Sequence, residues 1–279
     1  MSGAGLNETP DGGYAQVNGA SLYYETLGDG EPLVLVHAGI ADGRMWEGQL
    51  AAFAENHRVI RYDMRGFGRS DMVEEPYSHH EDLRGLLDHL GIERASLVGC
   101  SMGGATVIDF VLGNPDRASA LVLVGSAVSG FESDEDPPEE WDEVIEADEA
   151  GDLERVSELE VRIWVDGPQR GTGEVDAGLR DLVREMNLIA LQNEDSGLGE
   201  EIPADSPAAD RLGEIRVPTL LIVGDLDRPE ILARADLLER SVPDVRRVVM
   251  RGTAHVPNME QPEGFNQIVL EFLDEVGAQ

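Results

Sequence analysis

Short apolar runs alternate along this chain with amphipathic segments, and no other feature of the sequence restricts the fold as strongly. The runs are rich in Leu, Val and Ile, as buried parallel strands should be, and they lie at 33–37, 59–62, 95–99, 120–125, 219–223 and 246–250. Helices are predicted between them at 45–54, 81–90, 102–112 and 230–240, and a further helix at 262–276 closes the chain. Residues 14–26 predict a β-hairpin, because Asn18-Gly19 supplies a two-residue turn. The pattern predicts an α/β fold with a mostly parallel central sheet and helices on both faces.

One segment, residues 126–214, interrupts the alternation. It contains no convincing strand, and its residues 131–160 hold fifteen acidic residues and one basic residue, Arg155. Leu179, Leu182, Val183, Met186 and Ile189 fall at helical spacing and define one apolar face. Because the insertion starts at a strand end, where open α/β sheets bind ligands, we expect a helical lid, with 132–136 merely solvated. Residues 1–125 and 215–279 are predicted to form the core domain.

The segment Gly99-Cys100-Ser101-Met102-Gly103-Gly104 joins a predicted strand to a predicted helix. A nucleophile elbow needs this context, because a sharp strand-to-helix turn lifts the serine hydroxyl above the sheet. Glycines two residues before and after the serine let the two backbones approach closely. The helix N-terminus adds amide donors and partial positive charge. We therefore predict Ser101 as the nucleophile and Cys100, although a thiol, as a small buried residue.

A second motif, His37-Ala38-Gly39-Ile40, follows an earlier predicted strand. Serine acyl transfer needs two backbone N–H groups aimed at the developing oxyanion. The elbow supplies the N–H group of Met102. The loop after the earlier strand is expected to supply the other from Gly39, with Ile40 as the alternative. His37 is expected to pack beneath this loop rather than to act as a base.

These motifs resemble the α/β-hydrolase family, in which a His-Gly dipeptide precedes the oxyanion residue and a Trp follows several residues later. Trp46 matches that Trp. Ala38 stands where the family usually has Gly, and a left-handed backbone would cost an alanine there about 1–2 kcal/mol. The stretch from Asp63 to Ser70 is similar to the family's Asp-x-Arg-Gly-x-Gly-x-Ser turn. The resemblance implies that Asp63 and Arg65 are structural.

The same resemblance implies the partners of the nucleophile, in the chain order Ser, Asp, His. Gly224-Asp225-Leu226-Asp227 is similar to the family's Gly-x-x-Asp loop, which implies Asp227 as the acid and Asp225 as a surface or turn residue. Gly252-Thr253-Ala254-His255 is similar to its Gly-x-x-His loop, which implies His255 as the base. The remaining histidines are expected at the surface or in turns: His57, His79, His80 and His89.

The charge balance excludes several classes of partner. There are 56 acidic and 21 basic residues, none of them lysine, and the formal net charge is -35. Such a surface should repel nucleic acid and anionic membranes, so we expect neither as a partner. It resembles the acidic, lysine-poor surfaces of proteins from salt-loving organisms. The alternative is an arginine-biased genome combined with an acidic lid.

Targeting and ligand signals are weak throughout the sequence. No basic cluster followed by an apolar run indicates a signal peptide, and no apolar stretch approaches the ~18 residues that span a bilayer. The single cysteine, Cys100, cannot form an internal disulfide, which fits a reducing compartment. We therefore expect a cytoplasmic protein. No His, Cys and carboxylate cluster has metal-ligand spacing, so neither a metal nor a cofactor is expected.

Together these observations predict a serine hydrolase that cleaves a carboxylic ester or lactone of a small neutral substrate. Ile40, Trp46 and Trp164 are predicted to line the substrate pocket. Two alternatives stay open. One is a C–C bond hydrolase or cofactor-free perhydrolase with the same triad, and the other is a non-catalytic ligand-binding protein of this fold. The oligomeric state stays open as well.

Overall fold

A computed structural model describes residues 9–278 of the chain, so residues 1–8 of the predicted core domain and residue 279 lie outside it. One sheet contains β1 (Asp11–Val17), β2 (Ala20–Leu27), β3 (Glu31–Val36), β4 (His57–Tyr62), β5 (Ala95–Cys100), β6 (Ala118–Val124), β7 (Thr219–Gly224) and β8 (Val245–Met250). Its strands lie in the order β1-β2-β4-β3-β5-β6-β7-β8. The predicted α/β-hydrolase fold with a mostly parallel sheet is confirmed.

The antiparallel part of the sheet is the predicted hairpin. Asn18 and Gly19 have φ values of 45° and 84°, so both central residues of the turn adopt the positive φ that a type I′ turn requires. β2 then pairs antiparallel with β4. The other neighbours, from β4 across to β8, are parallel. Their carboxyl ends therefore share one edge of the sheet, where the predicted site loops begin.

The helices cover both faces of the sheet. They are α1 (Glu47–Phe53), α2 (His79–His89), α3 (Met102–Gly113), α4 (Trp141–Glu149), α5 (Leu153–Val161), α6 (Ala177–Asp195), α7 (Pro229–Ser241), α8 (Pro257–Glu260) and α9 (Pro262–Gly277). Alternate residues of β3 enter two different clusters, Val34 with α2 and α3 on one face and Leu35 with α1 and α9 on the other. This alternation is what a strand buried on both faces produces.

β8 is an exception among the predicted buried strands. Among the strands of residues 9–278, β7 is its only neighbour, so it forms an edge of the sheet. Val249 has 47% of its surface exposed, unlike the apolar residues of the central strands. Charged side chains accompany it, because Arg246 and Arg247 both lie on β8.

Between β6 and β7 the chain forms what we call the helical insertion, residues 126–214, which carries α4, α5 and α6. Its residues form no strand of the sheet, as the sequence predicts. α6 buries Val183 and Met186 from the predicted apolar face, and α4 and α5 share a small cluster that includes Val144 and Leu159. Residues 132–136 are exposed. No helix within residues 9–278 is both long and apolar enough to cross a bilayer.

The structural roles expected for Asp63 and Arg65 are confirmed. Nε and Nη2 of the fully buried Arg65 donate to Oδ2 and Oδ1 of Asp82 on α2, at 2.8 and 2.9 Å. The carboxylate of Asp63 accepts hydrogen bonds from the backbone N–H groups of Gly43 and Arg69, each at 2.8 Å. These contacts fix the loop after β4 against its neighbours.

Candidate active site

Ser101 occupies a sharp turn between β5 and α3 with a strained backbone. Its φ of 52° and ψ of -115° lie outside the regions that a residue with a side chain normally adopts. The surrounding chain holds it there, because its N–H group donates to the carbonyl of Val124 at 2.9 Å and its carbonyl accepts from Ala127 at 3.0 Å. Strain of this kind costs of order 1–3 kcal/mol and is concentrated at functional sites.

The glycines on each side of the serine are required by close backbone contacts, as predicted. A Cβ at Gly99 would lie 2.3 Å from the carbonyl oxygen of Gly103. A Cβ at Gly103 would lie 2.4 Å from the carbonyl oxygen of His37. Any side chain at either position would therefore force apart β5, α3 and the loop after β3.

His255 and Asp227 meet after the last two strands of the sheet. Nδ1 of His255 lies 2.9 Å from Oδ2 of Asp227, and both side chains are almost fully buried. Oδ1 of Asp227 accepts the backbone N–H of Arg228 at 2.8 Å. The His255 ring also packs on the indole of Trp164, with 4.8 Å between ring centroids. The carboxylate thus leaves Nε2 as the ring nitrogen that remains available for proton transfer.

The two competing residues lie in different environments. Asp225 is exposed, and its Oδ1 accepts the backbone N–H of Gly252 at 2.6 Å, so it is the turn residue that the sequence predicts. Cys100 is fully buried, and burial raises the pKa of its thiol. A thiol that stays protonated is a poor nucleophile.

The loop after β3 lies directly against the elbow. A Cβ at Gly39 would be 3.6 Å from Sδ of Met102, and both residues line the same cavity. Ala38 is not among the described residues with positive φ, so the change from Gly carries no left-handed strain. His37 packs beneath the loop as expected, with Nδ1 donating to the Ala38 carbonyl at 2.8 Å and Nε2 accepting the Met64 N–H at 2.9 Å.

Ser101 and His255 both open into a cavity of about 500 Å³. One wall comes from loops of the sheet and from the start of α2, and the opposite wall comes from the helical insertion. Its lining includes Gly39, Ile40, Phe67, Tyr77, His79, Ser101, Met102, Glu160, Trp164, Asn187, Leu191, Glu194, Glu201 and His255. The lining mixes apolar and aromatic side chains with several polar and ionisable ones, and a cavity of this volume is typical of small-molecule sites.

Of the three residues predicted to line the pocket, Ile40 and Trp164 do so. The prediction for Trp46 is wrong. Its side chain is fully buried in the core beneath the loop, where its ring lies 6.2 Å from that of Phe265. Trp46 therefore supports α1 and α9 and makes no contact with the cavity.

Sequence reasoning also missed cavity residues. His79 was expected at the surface, yet it is 4% exposed at the start of α2, between the rings of Phe67 and Tyr77. Burial, reinforced by the positive charge of Arg65, lowers its pKa to about 3, so the ring is neutral near pH 7. The sequence marks Glu160 only as one residue of the acidic segment 131–160. The sequence around His79 has no feature that shows whether the side chain lines a cavity or lies on the surface.

Comparison with known proteins gives consistent results over nearly the whole chain. Residues 33–268 match the model of the alpha/beta hydrolase family. The pimeloyl-[acyl-carrier protein] methyl ester esterase of Aeromonas hydrophila is 29% identical over 91% of this chain and 99% of its own. The 2-hydroxy-6-oxo-6-phenylhexa-2,4-dienoate hydrolase of Comamonas testosteroni is 27% identical over 90% of this chain and 91% of its own. The enol-lactonase of Burkholderia xenovorans superposes with a TM-score of 0.77 at 26% identity, over 94% of this chain and all of that one.

Proposed function

The chain belongs to the alpha/beta hydrolase family, and on that premise we propose that it is a serine hydrolase that cleaves a carboxylic ester or lactone through an acyl-enzyme on Ser101. The observation that carries the proposal is the 2.9 Å contact between Nδ1 of His255 and Oδ2 of Asp227 beside a cavity that Ser101 also lines. A nucleophile and a histidine that line one cavity, with a carboxylate that orients the histidine from behind, are the parts that acyl transfer needs.

In the proposed mechanism, Nε2 of His255 takes the hydroxyl proton as Oγ of Ser101 attacks the acyl carbon. Asp227 holds the imidazole in one tautomer and stabilises the imidazolium that forms. The N–H groups of Gly39 and Met102 stabilise the oxyanion. His255 then gives its proton to the leaving alcohol. It next takes a proton from the water that attacks the acyl-enzyme and passes it to Oγ of Ser101 as the acid leaves, which restores both the serine hydroxyl and the neutral imidazole.

We assign the helical insertion the role of a lid. Glu160, Trp164 and Asn187 contribute its side of the cavity, opposite Ser101 and Gly39 from the core. A lid of this kind excludes water from the acyl-enzyme and gives the substrate a second binding surface. Trp164 connects the lid to His255 in two ways. Its ring packs on the imidazole, and its carbonyl accepts the backbone N–H of His255 at 3.4 Å.

A C–C bond hydrolase is the second candidate, because the Comamonas relative acts on a dienoate. That substrate carries a carboxylate, whereas no arginine is among the cavity-lining residues of the described chain. An anion would therefore enter without a cationic partner, which buried charges require. Ester or lactone cleavage on a substrate without negative charge is the better fit. A non-catalytic binding protein would have no use for the strained Ser101.

A panel of small esters, lactones and vinylogous diketones, assayed with wild type and Ser101→Ala, tests the proposal. We expect hydrolysis of esters or lactones that falls about 10⁶-fold in the Ala variant, as in a related triad. Hydrolysis of the diketones alone would favour the second candidate. An Ala variant that kept a tenth of the ester hydrolysis would contradict the serine mechanism, and no turnover of any compound would favour a binding protein.

A further inference from the structure

The ionisable side chains that line the cavity give it a negative wall. Among the described residues the lining contains three carboxylates, Glu160, Glu194 and Glu201, together with His79 and His255, and no arginine. The sequence contains no lysine. His79 is neutral near pH 7, because burial lowers its pKa to about 3. The guanidinium of Arg65 lies 5.2 Å from the ring centroid of Tyr77, but Arg65 is not a lining residue and is paired with Asp82. None of the lining side chains is therefore a fixed cation that balances the carboxylates.

Glu160 differs from the carboxylates that this protein pairs with a buried or partly buried arginine. Asp82 is paired with Arg65 at 2.8 Å and Asp166 with Arg180 at 2.9 Å. Glu160 is partly buried, and its hydrogen-bond partner is a neutral amide, Nδ2 of Asn187, at 2.7 Å. Burial raises the pKa of Glu160, and the nearby carboxylates of Glu194 and Asp148 raise it further. A carboxylate desolvated in this way is stabilised by a proton or by a cation.

Aromatic side chains line the same space. Trp164 follows Glu160 by four residues along the same run of helix, and both face the cavity. Phe67 and Tyr77 line it from the core side. A cation within about 6 Å of an aromatic ring face is attracted by the ring quadrupole, and rings that surround a cation are used to recognise ammonium groups. Carboxylate and aromatic rings in one cavity favour the same kind of ligand.

We propose that the natural substrate is an ester whose acyl or alcohol part carries an ammonium group, bound between the Glu160 carboxylate and the aromatic rings of the cavity. The proposal rests on the ester-hydrolase function proposed above, and it replaces the expected neutral substrate with a cationic one. Glu160 is thereby a specificity-determining residue, and Glu194 supports it from α6. The ammonium group supplies the positive charge that the lining side chains lack beside Glu160.

A matched substrate pair separates charge from shape. Acetylcholine and 3,3-dimethylbutyl acetate have the same size and differ by the positive charge, so their kcat/KM ratio reports on cation recognition. We expect wild type to favour acetylcholine about tenfold or more, the effect of roughly one to two kcal/mol from a cation–ring and carboxylate contact. Glu160→Gln keeps an acceptor for Asn187 and should reduce the ratio by about threefold or more.

The net charge of -35 could attract any cation, so a control for the general field is essential. Glu146 is exposed on α4 of the same helical insertion and does not line the cavity. Glu146→Gln removes the same charge from the protein. We expect this variant to keep the wild-type ratio at the same ionic strength. An equal fall in both variants would assign the preference to the general field and overturn the proposal.

The remaining outcomes distinguish this inference from the function on which it rests. A wild-type ratio within about twofold of one, with both esters hydrolysed, would overturn the cationic substrate and leave the hydrolase intact. If p-nitrophenyl acetate is hydrolysed but neither ester is, choline and 3,3-dimethylbutan-1-ol are compared as competitive inhibitors, and equal inhibition overturns the proposal. This inhibitor pair also decides the question on wild type if Glu160→Gln does not fold. No hydrolysis of any ester would instead contradict the proposed function.

Discussion

Nδ1 of His255 lies 2.9 Å from Oδ2 of Asp227, whereas Asp225, two residues earlier, is exposed and bonded to the backbone of Gly252. Both carboxylates follow β7 in the same short loop, so the chain itself provides a matched pair. Only the buried one can orient the imidazole. In the proposed mechanism this single contact sets the tautomer of the base.

Asp227→Asn should therefore reduce kcat far more than Asp225→Asn. An amide at Asp227 favours the wrong histidine tautomer, which costs about 10⁴-fold in a serine protease triad. Asn at position 225 can still accept the N–H of Gly252 through its amide oxygen, so we expect activity within a few-fold of wild type. Steady-state kinetics on one ester decides the question. Similar small losses from both substitutions would mean that another residue supplies the acid.

The strained backbone of Ser101 predicts an opposition between stability and activity at that residue. Its φ of 52° and ψ of -115° cost a residue with a Cβ about 1–3 kcal/mol, and glycine avoids much of that strain. Glycine lowers the free energy of unfolding by about 0.5–1 kcal/mol in turn, because it gives the unfolded chain more conformational entropy. Ser101→Ala should leave the thermal midpoint nearly unchanged, and Ser101→Gly should raise it by a few degrees. Both variants should be inactive. Scanning calorimetry on the pair tests this, and a Gly variant no more stable than the Ala variant would contradict it.

Buried His79 predicts a specific loss of stability in acid. Its folded pKa of about 3 lies below the ordinary 6.5, so between these values the unfolded chain binds a proton that the folded chain does not. Stability due to the neutral ring is complete above pH 6.5 and is lost as the pH falls, by up to about 1.4 kcal/mol per pH unit. Denaturant titrations of wild type and His79→Phe at several pH values should diverge over this range.

The matched control for that experiment is His89→Phe, since His89 is exposed on the same helix. His37 is also buried and its pKa is also lowered, so the His79 variant should still lose some stability in acid. Parallel pH profiles for wild type and His79→Phe would show that His79 becomes protonated without unfolding, and would contradict its buried, neutral state.

The acidic excess predicts stabilisation by salt. With a formal charge of -35, the folded state confines like charges that the unfolded chain can separate. The screening length falls from about 10 Å at 0.1 M salt to about 3 Å at 1 M, which removes most of that repulsion. We expect the thermal midpoint to rise by several degrees between 0.1 and 2 M NaCl. Ion pairs such as Arg44 with Asp42 and Arg155 with Glu143 weaken in salt, but 21 cations cannot neutralise 56 carboxylates.

Scanning fluorimetry across a NaCl series measures this effect, and NaCl is preferred because sulfate or phosphate would also strengthen apolar burial. A flat or falling midpoint would indicate that the acidic excess reflects genome composition. The salt-adapted interpretation of the surface would then be wrong.

Local patterns in the sequence were sufficient to predict the sheet, because each core strand combines an apolar run with turn residues at its ends. The elbow was predictable for a similar reason: Gly99 and Gly103 mark a backbone contact that excludes any Cβ. Strand order depends on contacts between distant segments, so the apolar run alone did not place β8 at an edge of the described sheet. Arg246 and Arg247 were the one local sign that this strand is less buried than its neighbours.

The cavity walls were less predictable than the loops that carry Ser101, Asp227 and His255. An aromatic residue near a site can either face the substrate, as Trp164 does, or fill the core below it, as Trp46 does. The difference depends on which direction each short helical turn faces after the chain folds. The positions of His79 and Glu160 on the cavity wall also depend on tertiary packing, because the core and the helical insertion must come together before the two side chains line one cavity.

Covalent labelling tests the central claim most directly, because it reports on the nucleophile without requiring knowledge of the substrate. Wild type and the variants Ser101→Ala and Cys100→Ala are treated with a fluorophosphonate, and the modified residue is identified by peptide mass spectrometry. The account predicts one adduct per chain on Ser101, the same adduct in Cys100→Ala, and none in Ser101→Ala. An adduct on any other residue, or labelling that persists in Ser101→Ala, would contradict it.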